Sequence, residues 1–227
     1  LRQDSLRAIA DSASETRGVL SIGANETTFL YVLPEVLARY HKQFPQVRIS
    51  VYRNFSHKVL QKVEDDEVEL GVVTIPVRST SLSVIPIFRD PLVWIASTGS
   101  EVARQPEVSL ADLAQRELIL HKTGSLRRLM DKQLRPYRPQ LRVTMELTSA
   151  EIVKKFVAAD LGVSLISESF VQEEVKEGKL KILKTDGEKS FRELGLVYHE
   201  GRSLSRAAEA FLKLATESAR NRASNSV

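Results

Sequence analysis

The chain has 227 residues, no cysteine, 42% hydrophobic and 27% charged residues, and a formal net charge of +4. That is the composition of an ordinary globular protein, and it excludes disulfide scaffolds, collagen-like and disordered chains, thiol nucleophiles and Cys-ligated metal sites. No run reaches the roughly 20 apolar residues that cross a bilayer, and residues 1 to 18 carry no apolar signal segment, so a cytoplasmic location is expected. The basic residues interleave with acids, as in RRLMDKQLR, and read as solvated surface rather than as a nucleic-acid footprint. The chain opens on Leu1 with methionine only at 130 and 145, which reads as a piece of a longer product.

Residues 3 to 14 carry a thin apolar stripe, Leu6, Ile9, Ala10 and Ala13, and read as the end of a connecting helix. Val19 to Gly23 read as a strand, and Phe29, Leu33, Val36, Leu37, Tyr40 and Phe44 then recur at helical spacing up to Pro45. Val47, Ile49 and Val51 alternate at period two, Val59, Leu60 and Val63 return to helical spacing, and LGVVTI reads as a strand buried on both faces. Val84 to Phe88 and Leu92 to Ala96 read as two strands parted by Asp90 and Pro91.

The series then restarts. Ser109 and Asp112 form a capping box on SLADLA, followed by strand ELILH and a helix bearing Leu126, Leu129, Met130 and Leu134, which Pro136 and Pro139 end. Strand LRVTMEL, a helix with Ile152, Val153, Phe156 and Val157, strand GVSLI, a short helix from Ser169 to Lys176 and strand KLKIL complete this second set. Strand ELGLVY and a helix with Leu204, Ala208, Phe211, Leu212 and Ala215 close the chain. Two α/β subdomains on mainly parallel sheets are expected, with Gly187 and its polar neighbours as a crossover turn.

No GxGxxG, GxxxxGK[ST], GxSxG or HExxH motif is present, so no catalytic residue and no cofactor is assigned. His41, His57, His121 and His199 lie far apart in sequence, and the acidic run Glu64 to Glu67 reads as a solvated loop, so no metal site is assigned either.

Hydroxyl and amide residues recur where a strand passes into its helix: Asn25, Thr27 and Thr28; Ser56; Thr123 and Ser125; Thr148 and Ser149. Thr74 ends its strand. In an open parallel sheet these junctions lie at the carboxyl ends of the strands, where ligands bind. Helix N-termini present free N–H groups and a partial positive charge there, which suits a carboxylate, sulfate or phosphate. Each hydroxyl alone reads equally well as an N-cap, and Thr148 with Glu151 fits a capping box.

The segments GVLSIGANETTFLYVLPEVLARYHKQFPQVRISVYRN, VELGVVTIP, FRDPLVWIAS, VSLADLAQRELIL, AEIVKKFVAADLGVSLI and RELGLVYHEGRSLSRAAEAFLKL, in this order, resemble the effector-binding half of LysR-type transcriptional regulators. The resemblance implies two Rossmann-like subdomains with a cleft between them, similar to type 2 periplasmic binding proteins, with a small-molecule inducer between the two. It puts the end of the linker helix at residues 1–17, subdomain I at 18–92 and 194–227, and subdomain II at 93–193. It implies effector contacts at Asn25, Thr27 and Thr28, and at Ser56, Thr74, Ser125, Thr148 and Ser149; the family's inducers are too varied for the fold to choose among them, and it is the Thr-rich set without an obvious buried Arg that favours a small anion or carboxylate held by neutral donors. Lys122 and Arg78 stand near the cleft and are candidates for supplying charge, though each reads first as a surface residue. It implies a homodimer or tetramer meeting through Pro34 to Phe44 and Val47 to Tyr52, with Tyr31, Arg39 and Arg53 either along the seam or simply on the surface, and promoter DNA reached only through an N-terminal winged helix-turn-helix that these residues lack. The alternative reading on the same fold is a solute-binding protein of a transport system.

Overall fold

A computed structural model describes residues 16–224. The front helix expected at residues 3 to 14 lies outside the described residues. Two compact units form: described residues up to Phe88 with those from Glu193 on, and Arg89–Arg192. Two long strands, β4 (Leu82–Ser97) and β9 (Phe191–His199), run on from one unit into the other.

In the first unit, β1 (Gly18–Ala24) pairs in parallel with β2 (Val47–Arg53) and with β3 (Leu70–Thr74), and β9 runs antiparallel to β3. On β3, Leu70 and Val72 are fully buried in the core cluster on one face and Val73 in the cluster on the other, as a strand with cover on both faces requires. One face is covered by α2 (Leu33–Gln43) and the C-terminal helix (Arg206–Ser224), where the Tyr40 ring meets Phe211 at 5.5 Å and its hydroxyl donates to the Ala207 carbonyl at 2.8 Å. Burial, with Glu69 nearby, pushes the Tyr40 phenol up to about 12. The other face is covered by α3 (Ser56–Glu64), whose Val59 lies over Gly23 and Gly71, register partners on β1 and β3. A Cβ at either glycine would stand 2.9 Å from Val59 Cγ1, so the helix sits this close only because both strands lack a side chain there.

The single helix expected from Phe29 to Phe44 is two helices, α1 (Glu26–Tyr31) and α2. The Val32 N–H closes α1 on the Thr28 carbonyl at 3.1 Å. Pro34 then starts α2, because its ring has no N–H to give and would clash with a carbonyl four residues back.

The second unit contains the later part of β4, then α4 (Leu110–Ala114), β5 (Glu117–His121), α5 (Gly124–Leu134), a 3-10 segment (Arg135–Gln140), β6 (Arg142–Leu147), α6 (Ala150–Ala158), β7 (Ser164–Ser167), α7 (Gln172–Lys176) and β8 (Leu180–Leu183). Ser109 caps α4 as expected, accepting from the Asp112 N–H at 3.0 Å. A 3-10 turn, Glu168–Phe170, takes the first part of the helix expected from Ser169. β5 and β6 are parallel, but β7 and β8 both pair antiparallel with β4, at Trp94. The second unit therefore holds an antiparallel set, β7 and β8 against β4, and a separate two-stranded parallel sheet of β5 and β6, rather than one mainly parallel sheet.

Nor is there a break at Asp90 and Pro91: β4 is one strand of 16 residues. Asp90 is 1% exposed, not a turn residue. Its carboxylate accepts from the Ser169 hydroxyl at 2.7 Å and pairs with buried Arg192 of β9 at 3.4 Å. Pro91 costs the strand only a donor, and the next one, Leu92 N–H, is taken by the Ser190 carbonyl at 2.8 Å.

Candidate functional site

In the first unit the expected residues gather at the carboxyl ends of β1, β2 and β3. Asn25 caps α1: its Oδ1 accepts the Thr28 N–H at 2.9 Å and the Thr27 hydroxyl at 3.0 Å. Thr28 is fully buried, and its Oγ1 has no hydrogen-bond partner. Such an orphan costs about 1–3 kcal/mol when it stays unsatisfied, so a turn that keeps one is a place where an incoming acceptor is rewarded. Ser56 opens α3 and accepts the Thr74 N–H at 3.4 Å, which ties the start of that helix to the end of β3. Asn54 N–H donates to the Ala24 carbonyl at 3.0 Å, holding the end of β2 against the end of β1. Arg78 stands apart from this rim and lines an open surface hollow of about 650 Å³ with Glu64, Val77 and Ser79.

In the second unit Ser125 lies in the first turn of α5 after β5, and Thr148 and Ser149 lie between β6 and α6. Parallel register pairs His121 with Leu147, and the Lys122 N–H donates to the Leu147 carbonyl at 2.8 Å, so both junctions leave the same end of one strand pair. Lys122 is exposed at that end. The Thr148 and Glu151 capping box does not form. Ser149 is the N-cap of α6 and makes no side-chain cap bond. Glu151 instead pairs at 3.2 Å with Lys154, a 3% exposed ammonium also held by Glu174 at 2.9 Å and by the Phe170 carbonyl at 2.8 Å. Satisfying that buried cation takes the carboxylate away from the helix start. Thr123 likewise caps α5 without a side-chain bond.

Two buried polar groups at these strand ends were missed from sequence. His121 is 4% exposed, its Nε2 has no partner, and burial holds its imidazole at about 4, against a smaller upward pull from the Leu165 carbonyl. Ser167, fully buried at the end of β7, has an unpartnered Oγ. Each closes an apolar run, ELILH and SLIS, and nothing in that pattern separates a polar end residue from an ordinary cap. Among the described residues no three of His, Asp and Glu gather to hold a metal ion.

Each unit thus ends its parallel strands in neutral donors and helix starts. Such a rim can hold an oxyanion without supplying a formal charge.

Comparison with known proteins agrees with this architecture. A family model described as the LysR substrate binding domain matches residues 13–220. The HTH-type transcriptional regulator YeiE of Escherichia coli K12 is 33% identical over 199 residues, 87% of this chain and 68% of that protein. A probable RuBisCO transcriptional regulator of Trichormus variabilis is 30% identical over 218 residues, 93% of this chain and 65% of its own length. The chain therefore spans about two thirds of these relatives. Among solved structures, the effector binding domain of QuiR in complex with shikimate superposes with a TM-score of 0.79 at 17% identity, covering 91% of this chain and 99% of that one. The Synechocystis PCC6803 CcmR regulatory domain in complex with 2-PG gives 0.80 at 23% identity, covering 90% and 99%. These likenesses establish the two-subdomain α/β fold of the type 2 periplasmic-binding-protein kind. The chain belongs to the LysR family of transcriptional regulators, as its substrate binding domain.

Proposed function

We propose that the chain senses a small anionic metabolite, a carboxylate or phosphate, through Asn25, Thr27, Thr28, Ser56 and Thr74 of the first unit and Ser125, Thr148 and Ser149 of the second. The observation that carries this is the Asn25 turn, which orders three polar residues at a strand end and keeps the Thr28 hydroxyl unsatisfied. The ligands named for the QuiR and CcmR structures, shikimate and 2-PG, belong to the same anionic class. Sensing is non-enzymatic and takes place in the cytoplasm; among the described residues no helix is long and apolar enough to cross a membrane.

The test is calorimetric titration with sulfate, phosphate and a set of small carboxylates. Thr27→Ala and Thr148→Ala are each expected to weaken the responding acid about tenfold, on the order of one hydrogen bond to a charged group. Unchanged affinity in both variants contradicts this assignment of the site.

The same reading makes the chain a dimer through α2 and β2. β2 is the outermost strand of its sheet, Val51 on it is 58% exposed and Phe55 just after it 52%, and Leu30 on α1 is 48% exposed. An edge with this much apolar surface invites a partner. Arg39, bound to Ser218 at 2.8 Å, and Arg53, 3.8 Å from Glu26, are already engaged within the chain, so apolar contact carries the association. Sedimentation at tens of micromolar should give a dimer or tetramer, and a monomer would contradict this part of the proposal. Sequence-specific recognition of promoter DNA belongs to the helix-turn-helix of the whole protein, and this chain should show none.

A further inference from the structure

The 21 residues from Lys122 to Arg142 hold seven Lys or Arg and one acid, a net charge of +6, so the rest of the chain, against +4 overall, is net −2. The interleaving seen in sequence does not survive folding. Asp131 is taken by Arg127 at 2.9 Å, and Arg127 also binds Glu146. Arg142 pairs with Glu117 at 2.8 Å. Arg128, Lys132, Arg135 and Arg138 are exposed, and their side chains make no hydrogen bond or ion pair among the described residues. On α5 the buried residues Leu126, Met130 and Leu134 repeat every four positions and define the face turned to the core. Arg128 and Lys132, with Arg135 at the helical C-cap, fall at i, i+4 and i+7, which puts all three on the opposite face within about 60° of one another. At about 1.5 Å of rise per residue they form a row about 10 Å long, extended by Arg138 in the 3-10 segment.

We infer that this row is a docking surface for the phosphate backbone of duplex DNA, without sequence preference. A line of uncompensated guanidinium and ammonium groups, with no acid of its own left to face it, is the complement of a regularly spaced polyanion. Relatives of this chain are named HTH-type transcriptional regulators, so the whole protein already brings duplex within reach. The row does not read bases, because its side chains offer charge along a backbone rather than an element shaped for a groove. Its role is to add a nonspecific, salt-sensitive contact beside the specific one.

The experiment is fluorescence anisotropy of the chain on a labelled random-sequence duplex of about 20 base pairs, between 50 and 200 mM salt. With four phosphates neutralised, affinity should fall on the order of 10²-fold across that range. Arg128→Glu with Lys132→Glu and Arg135→Glu should abolish binding. A control with Lys58→Glu, Lys155→Glu and Lys213→Glu, three exposed cations elsewhere, changes net charge equally and should retain most of it. Circular dichroism melts of both triple variants establish that each is folded. Equal loss in the two triples reduces the effect to net charge and overturns the proposal. So does the absence of binding by the wild-type chain at 50 mM salt, or displacement by poly-glutamate as effective per charge as by duplex, which would assign the row to an acidic protein surface.

Discussion

Asp90→Ala is expected to destabilise the domain by about 3–5 kcal/mol, the cost of stripping one partner from a buried ion pair. Asp90 and Arg192 are 1% and 2% exposed, so the loss is not softened by water. Burial already brings the Arg192 guanidinium down to about 10 while Asp90 pulls it back up, and the substitution removes that opposing influence. The Ser169 hydroxyl loses its acceptor at the same time. Asp90 and Arg192 lie two residues and one residue, respectively, from the points where β4 and β9 pass between units, with Arg89 stacked 3.7 Å from the Phe191 ring beside them. Urea denaturation measures the effect: a loss under 1 kcal/mol would mean that the pair contributes nothing beyond its own desolvation. Adding Arg192→Met to Asp90→Ala should recover part of the stability, because the uncompensated charge goes with it.

Acid should weaken the fold through His121. Its imidazole is held at about 4, against 6.5 in an unfolded chain, so between these values the unfolded state binds a proton that the folded state refuses. The stabilising contribution is complete above pH 6.5, is lost as pH falls through the window, and is gone below about 4. At 1.36 kcal/mol per pH unit the whole effect is about 3 kcal/mol. Carboxylates titrate in the lower half of this window, so the readout is a difference: stability against pH for the wild type minus that for His121→Phe, which keeps a ring and removes the titrating group. Equal slopes in the two proteins would show that the His121 imidazole takes up its proton in the folded chain as readily as in the unfolded one.

The elements legible in sequence are those whose periodicity decides burial. Val59 and Val63 on α3, Val153 and Val157 on α6, and Leu20 and Ile22 on β1 all stand where their spacing puts them, fully or almost fully buried. Period two was weaker evidence at sheet edges: Val51 and Val143 alternate correctly yet are 58% and 44% exposed, because an edge strand keeps its pleat whether or not its face is covered. Local signals failed where another partner took the side chain. Asp90 followed by Pro91 is turn chemistry until Arg192 and Ser169 claim the carboxylate, and Glu151 is a capping residue until Lys154 claims it. The antiparallel pairing of β7 and β8 with β4 lies in how the chain returns, which no local pattern encodes. In the first unit the expected site residues do lie together, at Asn25 to Thr28 and at Ser56 beside Thr74. His121 and Ser167, and the row on α5, needed the fold, since burial without a partner and charge without a counter-ion are properties of neighbours rather than of sequence.

The sensing proposal is met most directly by a thermal melt of this chain alone and with 10 mM sulfate, phosphate or each of a set of small carboxylates, run beside Thr27→Ala. At about 100 times its dissociation constant a true effector adds about 2.7 kcal/mol, a shift of roughly 5–10 °C for a chain of this size. At least one of these anions is predicted to raise the melting temperature of the wild type by that much and that of Thr27→Ala, which binds it about tenfold more weakly, by only about half as much. Wild-type and Thr27→Ala melts that respond identically to every anion would contradict it.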